Sequence, residues 1–346
     1  MQNSTLPNTS VALLEEAAQH APTRTVSRLA EAHALFAMEL RQLEHELQRA
    51  TGDGVAPATH AAAHLLGGGG KRVRPLTVLL AAACFGPIDA TARELALIAE
   101  LVHLATLLHD DVLDDCQMRR GQPAARCLWG NSVSVLAGDL LLTHALERAA
   151  PLRPAQLLPL LLQTLRRLVD GEILQLRGRS TLDLTQETYF EIVRGKTASL
   201  FEWAARAGGC AAEAQPAQVD ALAAYGQHLG VAFQLMDDAL DYCGDIEQTG
   251  KAIFSDLEEG KVTLPLIHAV QQKPSLVREL DRLRDGDHSA TLRIAASVQA
   301  LDACASVRAL ARDETRLALT ALEALRPSRA RELLRVVACE LTERVH

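Results

Sequence analysis

Two short acidic clusters carry the strongest chemical signal in this chain of 346 residues. The first is His109-Asp110-Asp111-Val112-Leu113-Asp114-Asp115, near the end of an apolar stretch that begins around Glu94. The second, 127 residues further on, is Gln234-Leu235-Met236-Asp237-Asp238-Ala239-Leu240-Asp241. On a helix, residues i and i+4 project from one face a turn apart, so Asp110 with Asp114, and Asp237 with Asp241, can each converge on one ion. Hard carboxylate oxygens in this number suit Mg²⁺, which keeps several waters and completes its shell with substrate phosphates. One such cluster alone reads as well as a solvated helix end. Two do not, because like charges at i, i+1 and i+4 destabilise a helix by roughly a few tenths of a kcal/mol per pair, and a helix C-terminus disfavours anions. Both clusters therefore require nearby cations.

Cations are present at fixed distances from them. Gly67-Gly68-Gly69-Gly70-Lys71-Arg72-Val73-Arg74-Pro75 joins a glycine loop to three cations at a helix start, where backbone amides favour an anion. Arg119-Arg120-Gly121 follows the first aspartates, and Lys196-Thr197, Gly250-Lys251 and Gly260-Lys261 come later. Each pair taken singly reads as a solvated surface. Together they supply the forked and point-charge donors that two diphosphates require, in a chain whose formal net charge is -8. That acidity excludes nucleic acid as the main partner, so any phosphate chemistry is local. His103 lies two turns before Asp110 on nearly the same face, which points it toward the same site rather than toward an ordinary core position. No Ser/His/Asp or Cys/His arrangement stands in the motifs.

The elements that must position these groups read as helices. Aromatics make up only 3% of the chain, while Leu, Ala, Arg and Glu recur at three- and four-residue spacings. The periodicity predicts helices over 25–50, 57–66, 72–85, 90–116, 131–149, 154–178, 184–208, 216–243 and 262–272, with more toward the C-terminus, and prolines at 151, 154, 216, 274 and 327 punctuate them. No Gly/Ser linker interrupts the series, which predicts one all-α domain over 25–346 behind a flexible leader, 1–24. Seven scattered cysteines without paired spacing point to a reducing cytoplasm. The longest apolar run, 76–86, is too short to span a bilayer, which needs about 18–20 residues.

The ordered motifs GGGGKRVRP, LLHDDVLDD followed by RRG, GEILQL, RGKTASLF, FQLMDDALDY and LEEGKVTLPLI resemble those of the trans-isoprenyl diphosphate synthases, most of all the long-chain octaprenyl and solanesyl type that makes quinone side chains. The likeness is dense over about 60–270 and loose beyond. It implies a helical bundle of the isoprenoid synthase type around a central apolar cavity, a homodimer, a cytoplasmic location, and room for peripheral membrane contact at product release. It also implies that isopentenyl diphosphate is condensed successively onto an allylic diphosphate, farnesyl or geranyl. Asp110 and Asp114 would hold two Mg²⁺, and Asp237 a third, with Asp111, Asp238 and Asp241 beside the substrate. Arg119, Lys196, Lys251 and Lys261 would meet the allylic diphosphate, and Lys71, Arg74, His103 and Arg120 would bind isopentenyl diphosphate. Gln234 and Thr197 would face the developing allylic cation.

Product length should be set by the residues before the first aspartates. At about 100° and 1.5 Å per residue, Thr106, Val102 and Ala99 lie below Asp110 at increasing depth, and none is aromatic. The resemblance adds Ala105, although helix geometry turns it partly aside. With small residues there, the expectation is an all-trans product of about forty carbons, with a floor at Leu157, Leu158 or Leu161. Departures from the family pattern are Phe254, where a small residue is usual, and Ala252, where proline is frequent. A geranylgeranyl-length synthase, a terpene cyclase and a non-catalytic partner subunit are the competing readings. The cyclase usually has a mixed Asn/Ser/Glu metal motif in place of the second cluster, and the subunit would have lost aspartates.

Overall fold

A computed structural model describes residues 28–243 and 254–342. The expected leader, and Lys251 with Gly250 and Ala252, lie outside the described residues. Helices carry about four-fifths of the described chain, and its strands form a two-residue hairpin, Met118–Arg119 (β1) with Gln122–Pro123 (β2).

The helix expected over 25–50 is two, α1 (Arg28–Leu35) and α2 (Ala37–Gly52), because the run breaks where Phe36 buries its ring in the core. α3 (Ala58–Gly67) runs into the glycine loop, and α4 (Val73–Ala83) emerges from it. α5 (Ala90–Leu113) starts where the Asp89 carboxylate accepts from the Ala92 N–H at 2.7 Å, a side-chain cap for an otherwise unpaired donor. It ends at Leu113, so the first aspartates sit on its last turn. After the hairpin come α6 (Ala125–Trp129), α7 (Asn131–Ala149) and α8 (Leu157–Thr181).

The helix expected over 184–208 is interrupted. α9 (Gln186–Ile192) passes into one turn of π-helix, Val193–Ala198, before α10 (Ser199–Ala211). Such single π turns recur at functional sites because they rotate one stretch of side chains relative to the rest, and this one carries Lys196 and Thr197. Glycine permits the close approach: a Cβ on Gly171 of α8 would sit 2.6 Å from the Lys196 N, and one on Gly195 2.9 Å from the Arg167 O. α11 (Pro216–Cys243) matches its expected span and packs along α10. Beyond it lie α12 (Ser255–Glu258), α13 (Leu264–Gln272), α14 (Leu276–Arg284), α15 (Ser289–Ala300), α16 (Ala303–Ala321) and α17 (Arg329–Thr342).

The apolar residues gather in two clusters. The larger lies among α2 to α5, α7, α8, α10 and α17, around Leu76, Leu101, Leu104 and Leu108. The smaller lies under the C-terminal half of α11, with Leu235, Tyr242, Leu264 and Val307. α11 contributes to both, with Leu222, Tyr225 and Leu229 in the first and Val231, Leu235 and Met236 in the second. Each fully buried leucine contributes about 1.5–3 kcal/mol, so a helix packed on both flanks is held firmly in place. No single described helix is long and apolar enough to cross a membrane.

Candidate active site

One cavity of about 1450 Å³ opens between α5, α8, the π turn and α11. Asp110 and Asp114 line it from α5, and Asp237, Asp238 and Asp241 from α11. Lys196, Thr197, Gln234, Lys261, Arg74, His103, Arg119, Arg120 and Lys71 line it as well. Nine scattered cations and polar groups thus border the same cavity as the two acidic clusters.

The carboxylates are bridged by lysine. Lys196 Nζ lies 3.7 Å from Asp110 Oδ1 and also pairs with Glu172, while Lys261 Nζ reaches Asp114 Oδ2 at 3.0 Å and Asp256 Oδ1 at 3.5 Å and pairs with Glu259. Arg179 of α8 forms a further ion pair with Asp114. With its amide turned so that the oxygen faces these two donors, Gln175 accepts from Lys196 Nζ at 3.2 Å and Arg179 Nη2 at 3.0 Å. Burial pushes the Asp110 carboxyl up to about 6, against the pull of Lys196. At Asp114 burial acts the same way, but Lys261 and Arg179 outweigh it and hold that carboxyl below its ordinary range.

On α11 the side chains form a chain of hydrogen bonds. The Thr197 hydroxyl donates to Gln234 Oε1 at 2.8 Å, Gln234 Nε2 donates to Asp238 Oδ1 at 2.7 Å, and the Tyr189 hydroxyl donates to Asp238 Oδ2 at 2.6 Å. Burial, with Asp256 nearby, raises Asp238 to about 8. Asp241 accepts from the Ser255 N–H at 3.0 Å, the Ser255 hydroxyl at 2.8 Å and the Asp256 N–H at 3.3 Å, so it anchors the start of α12; burial and Asp256 bring it to about 7.

The second basic group assembles at the other side of the cavity. The glycine loop lies against the Arg-Arg-Gly turn: a Cβ on Gly68 would stand 3.4 Å from Arg120 Cδ, and Arg120 itself holds a left-handed φ of 52°. Arg74 stacks over the Phe201 ring at 4.5 Å, and burial brings its guanidinium down to about 10. Burial, then Arg74 and Arg120, drive His103 well below its ordinary range, so it stands neutral there.

Several expectations need correction. Asp111, expected beside the substrate, does not line the cavity; it is 0% exposed and grips Arg119 from behind, with Nε at 2.7 Å and Nη2 at 2.5 Å from Oδ1. Of the four residues read as depth markers, Thr106 lines the cavity, whereas Ala105, Val102 and Ala99 are packed in the core. The reason is angular: below His109 the cavity takes the sector of α5 holding Thr106, His103, Leu107 and Glu100, from about 40° on one side of Asp110 to about 80° on the other. Val102 and Ala105 fall outside that sector, and Ala99, though within it, is fully buried in the core. Leu157 and Leu161 are likewise core residues and Leu158 packs half-buried against that core, so the apolar arm is lined instead by Leu107, Val135, Leu168, Val169 and Ile173. Phe254 takes the left-handed conformation that glycine would adopt freely, φ 66°, and its ring packs 6.2 Å from that of Tyr242. Sequence reasoning missed Glu172, Gln175, Arg179, Tyr189, Asp256 and Glu259. Glu172 and Gln175 stand inside the quoted GEILQL motif and Glu259 inside LEEGKVTLPLI, the signals available for them.

Comparison with known proteins agrees with this arrangement. The profile of the polyprenyl synthetase family matches residues 56–301. Octaprenyl diphosphate synthase of Escherichia coli (strain K12) is 38% identical over 278 residues, covering 78% of this chain and 85% of that protein. A short chain isoprenyl diphosphate synthase of Methanothermobacter thermautotrophicus is 34% identical over 300 residues, covering 84% and 92%. The crystal structure of a polyprenyl synthase from Caulobacter crescentus, complexed with calcium and isoprenyl diphosphate, superposes with a TM-score of 0.87 at 35% identity, covering 92% of this chain and 98% of that one. With both aspartate clusters and both cation groups on one cavity, the chain belongs to the polyprenyl synthetase family and is a trans-prenyl diphosphate synthase.

Proposed function

We propose that this enzyme extends farnesyl or geranyl diphosphate by repeated addition of isopentenyl diphosphate to an all-trans chain of about thirty-five to fifty carbons, centred on about forty. The observation that carries this reading is that two anion sites and an apolar arm open onto one cavity, and that the α5 residue one turn below Asp110 is the small Thr106. The relatives named above include both long- and short-chain synthases, so the length rests on that lining.

Asp110, Asp114 and Asp237 are the carboxylates that would hold Mg²⁺, three ions per site when the allylic diphosphate is bound. Among the described residues no three His, Cys, Asp or Glu side chains come together as a metal cage. A few convergent carboxylates without a cage suit Mg²⁺, which takes one or two protein oxygens and the rest from water and phosphate. The metal, when bound, supplies Lewis-acid neutralisation of the leaving diphosphate. Lys196, Lys261 and Arg119 add point and forked charge to the same group, and Lys251 is proposed to join them. The Thr197 hydroxyl oxygen and Gln234 Oε1, fixed by their mutual hydrogen bond, present partial negative charge to the allylic cation. Lys71, Arg74, His103 and Arg120 hold isopentenyl diphosphate with its double bond toward that cation. The apolar wall excludes water that would quench it. The departing diphosphate, already in place, takes the proton.

The reading includes a single helical domain over 25–346, supported by the passage of α11 through both cores, and a cytoplasmic homodimer. Exposed Leu136 on α7 and Leu162 on α8 lie on the apolar face a second copy would cover. The test is incorporation of labelled isopentenyl diphosphate into an organic-extractable product: it must stop with a chelator and return with Mg²⁺. Chelator-insensitive incorporation would overturn the metal assignment.

A further inference from the structure

Of the three cations after the glycine loop, Arg72 stands apart from Lys71 and Arg74. Its backbone is left-handed, φ 48° and ψ 38°, a conformation that residues with a Cβ rarely hold unless their surroundings impose it. The imposing contacts are two carboxylates. Arg72 Nε donates to Glu44 Oε1 at 2.5 Å and Nη2 to Glu44 Oε2 at 3.1 Å, a fork on α2, while Nη1 donates to Glu100 Oε1 at 2.7 Å on α5. The Arg72 and Glu100 side chains are 6% and 3% exposed. A Cβ on Gly70 would lie 2.8 Å from Arg72 Nη1 and 3.3 Å from Arg120 Nη1, so a glycine there lets the loop close over the pair. Glu100 precedes His103 by one turn of α5 and is the carboxylate that draws on Arg72, Arg74 and Arg120 alike.

Lys71, Arg72 and Arg74 all border the cavity, but Arg72 alone has a carboxylate on each side and gives three of its N–H donors to them. We propose that Arg72 is a positioning residue and not a diphosphate ligand: with Glu44 and Glu100 it staples the left-handed turn between Lys71 and Arg74 and so presets the isopentenyl diphosphate site. The proposal rests on the assignment of that basic cluster to isopentenyl diphosphate. A glycine loop free to sample many conformations loses that freedom on binding, and a loop already fixed by a buried ion pair does not. Lysine cannot replace the arginine, because a single ammonium cannot serve a fork on α2 and a second carboxylate on α5 together.

The test is Glu44→Gln, chosen because Glu44 is 41% exposed and its loss leaves no deeply buried charge alone. The staple predicts that Glu44→Gln and Arg72→Lys each raise the KM for isopentenyl diphosphate about tenfold, with the allylic KM and saturated kcat within about threefold of wild type. It further predicts that the double variant is little worse than either single one, because both break the same device. Calorimetric binding of isopentenyl diphosphate alone should weaken by the same factor. A lowered or unchanged KM in Glu44→Gln overturns the staple, since a ligand restrained by Glu44 would be released to bind better. Lys71→Ala, run alongside, separates the two levels: a raised KM there with no rise in Glu44→Gln sinks the staple alone. An unchanged KM in Lys71→Ala sinks the site assignment and the proposal with it.

Discussion

Replacing Thr106 with phenylalanine should shorten the product while leaving the first condensation active. Thr106 lies four residues before Asp110, about 6 Å down the α5 axis and about 40° aside, on the cavity wall. Its hydroxyl donates to the His103 carbonyl at 2.8 Å, so the native side chain presents little bulk and no unmet polar group to a growing chain. A ring at this level would deny the next isoprene unit its place in the apolar arm. Burying five carbons is worth about 0.8 kcal/mol each, so a unit that cannot enter forgoes about 4 kcal/mol, close to a factor of a thousand between another addition and release. The expected product falls to about fifteen or twenty carbons, because each further unit meets the same barrier. The assay is liquid chromatography with mass detection of products formed from farnesyl or geranyl diphosphate, with the rate of the first addition measured separately under single-turnover conditions. Products of wild-type length from Thr106→Phe would refute the assignment of this wall to the growing chain. Ala105→Phe, by contrast, should act mainly through core overpacking, costing about 1–3 kcal/mol of stability.

Asp110→Ala and Asp237→Ala should each lower kcat by about three orders of magnitude or more, since the leaving charge loses a metal contact. Near-normal turnover in both would remove the aspartates from the mechanism. Lys71→Ala and Arg120→Ala should chiefly raise the KM for isopentenyl diphosphate, and an effect confined to the allylic substrate would reverse the division of the two anion sites. Magnesium dependence should be steep in pH: with Asp110 raised to about 6, its protonated form predominates below that pH and cannot ligate a cation. Half-saturating Mg²⁺ should fall roughly tenfold between about pH 5 and pH 7, as the ionised fraction rises from about a tenth to nine tenths. A requirement flat across that range would contradict the shift.

The two acidic clusters were legible because a metal site needs carboxylates at i and i+4 on one face, a spacing that survives in the linear sequence. Helix content was legible for the same reason of periodicity. What was not legible depends on where neighbours close around a helix. Angular projection set the face of Thr106 correctly, yet it could not show that the cavity leans toward Glu100 and His103, leaving Val102 and Ala105 in the core. The break at Phe36 and the π turn at Val193–Ala198 interrupt runs whose pattern is helical throughout. The paired glycines Gly171 and Gly195 were visible, but only their contact across two elements gives them meaning. Tyr189 and Asp256 are single polar residues without a spacing partner, and their tie to Asp238 and Lys261 exists only in three dimensions. Cys243 and Cys304, apparently scattered, come to 2.7 Å between sulfurs for the same reason.

The central claim is that one cavity ionises an allylic diphosphate and adds isopentenyl units to it. The most direct measurement is the mass of the product made by the purified chain from farnesyl diphosphate, isopentenyl diphosphate and Mg²⁺. The expected result is a series rising by five carbons at each step and ending at about thirty-five to fifty, strongest near about forty. Farnesol, a cyclised hydrocarbon, or unchanged starter as the sole outcome would contradict it.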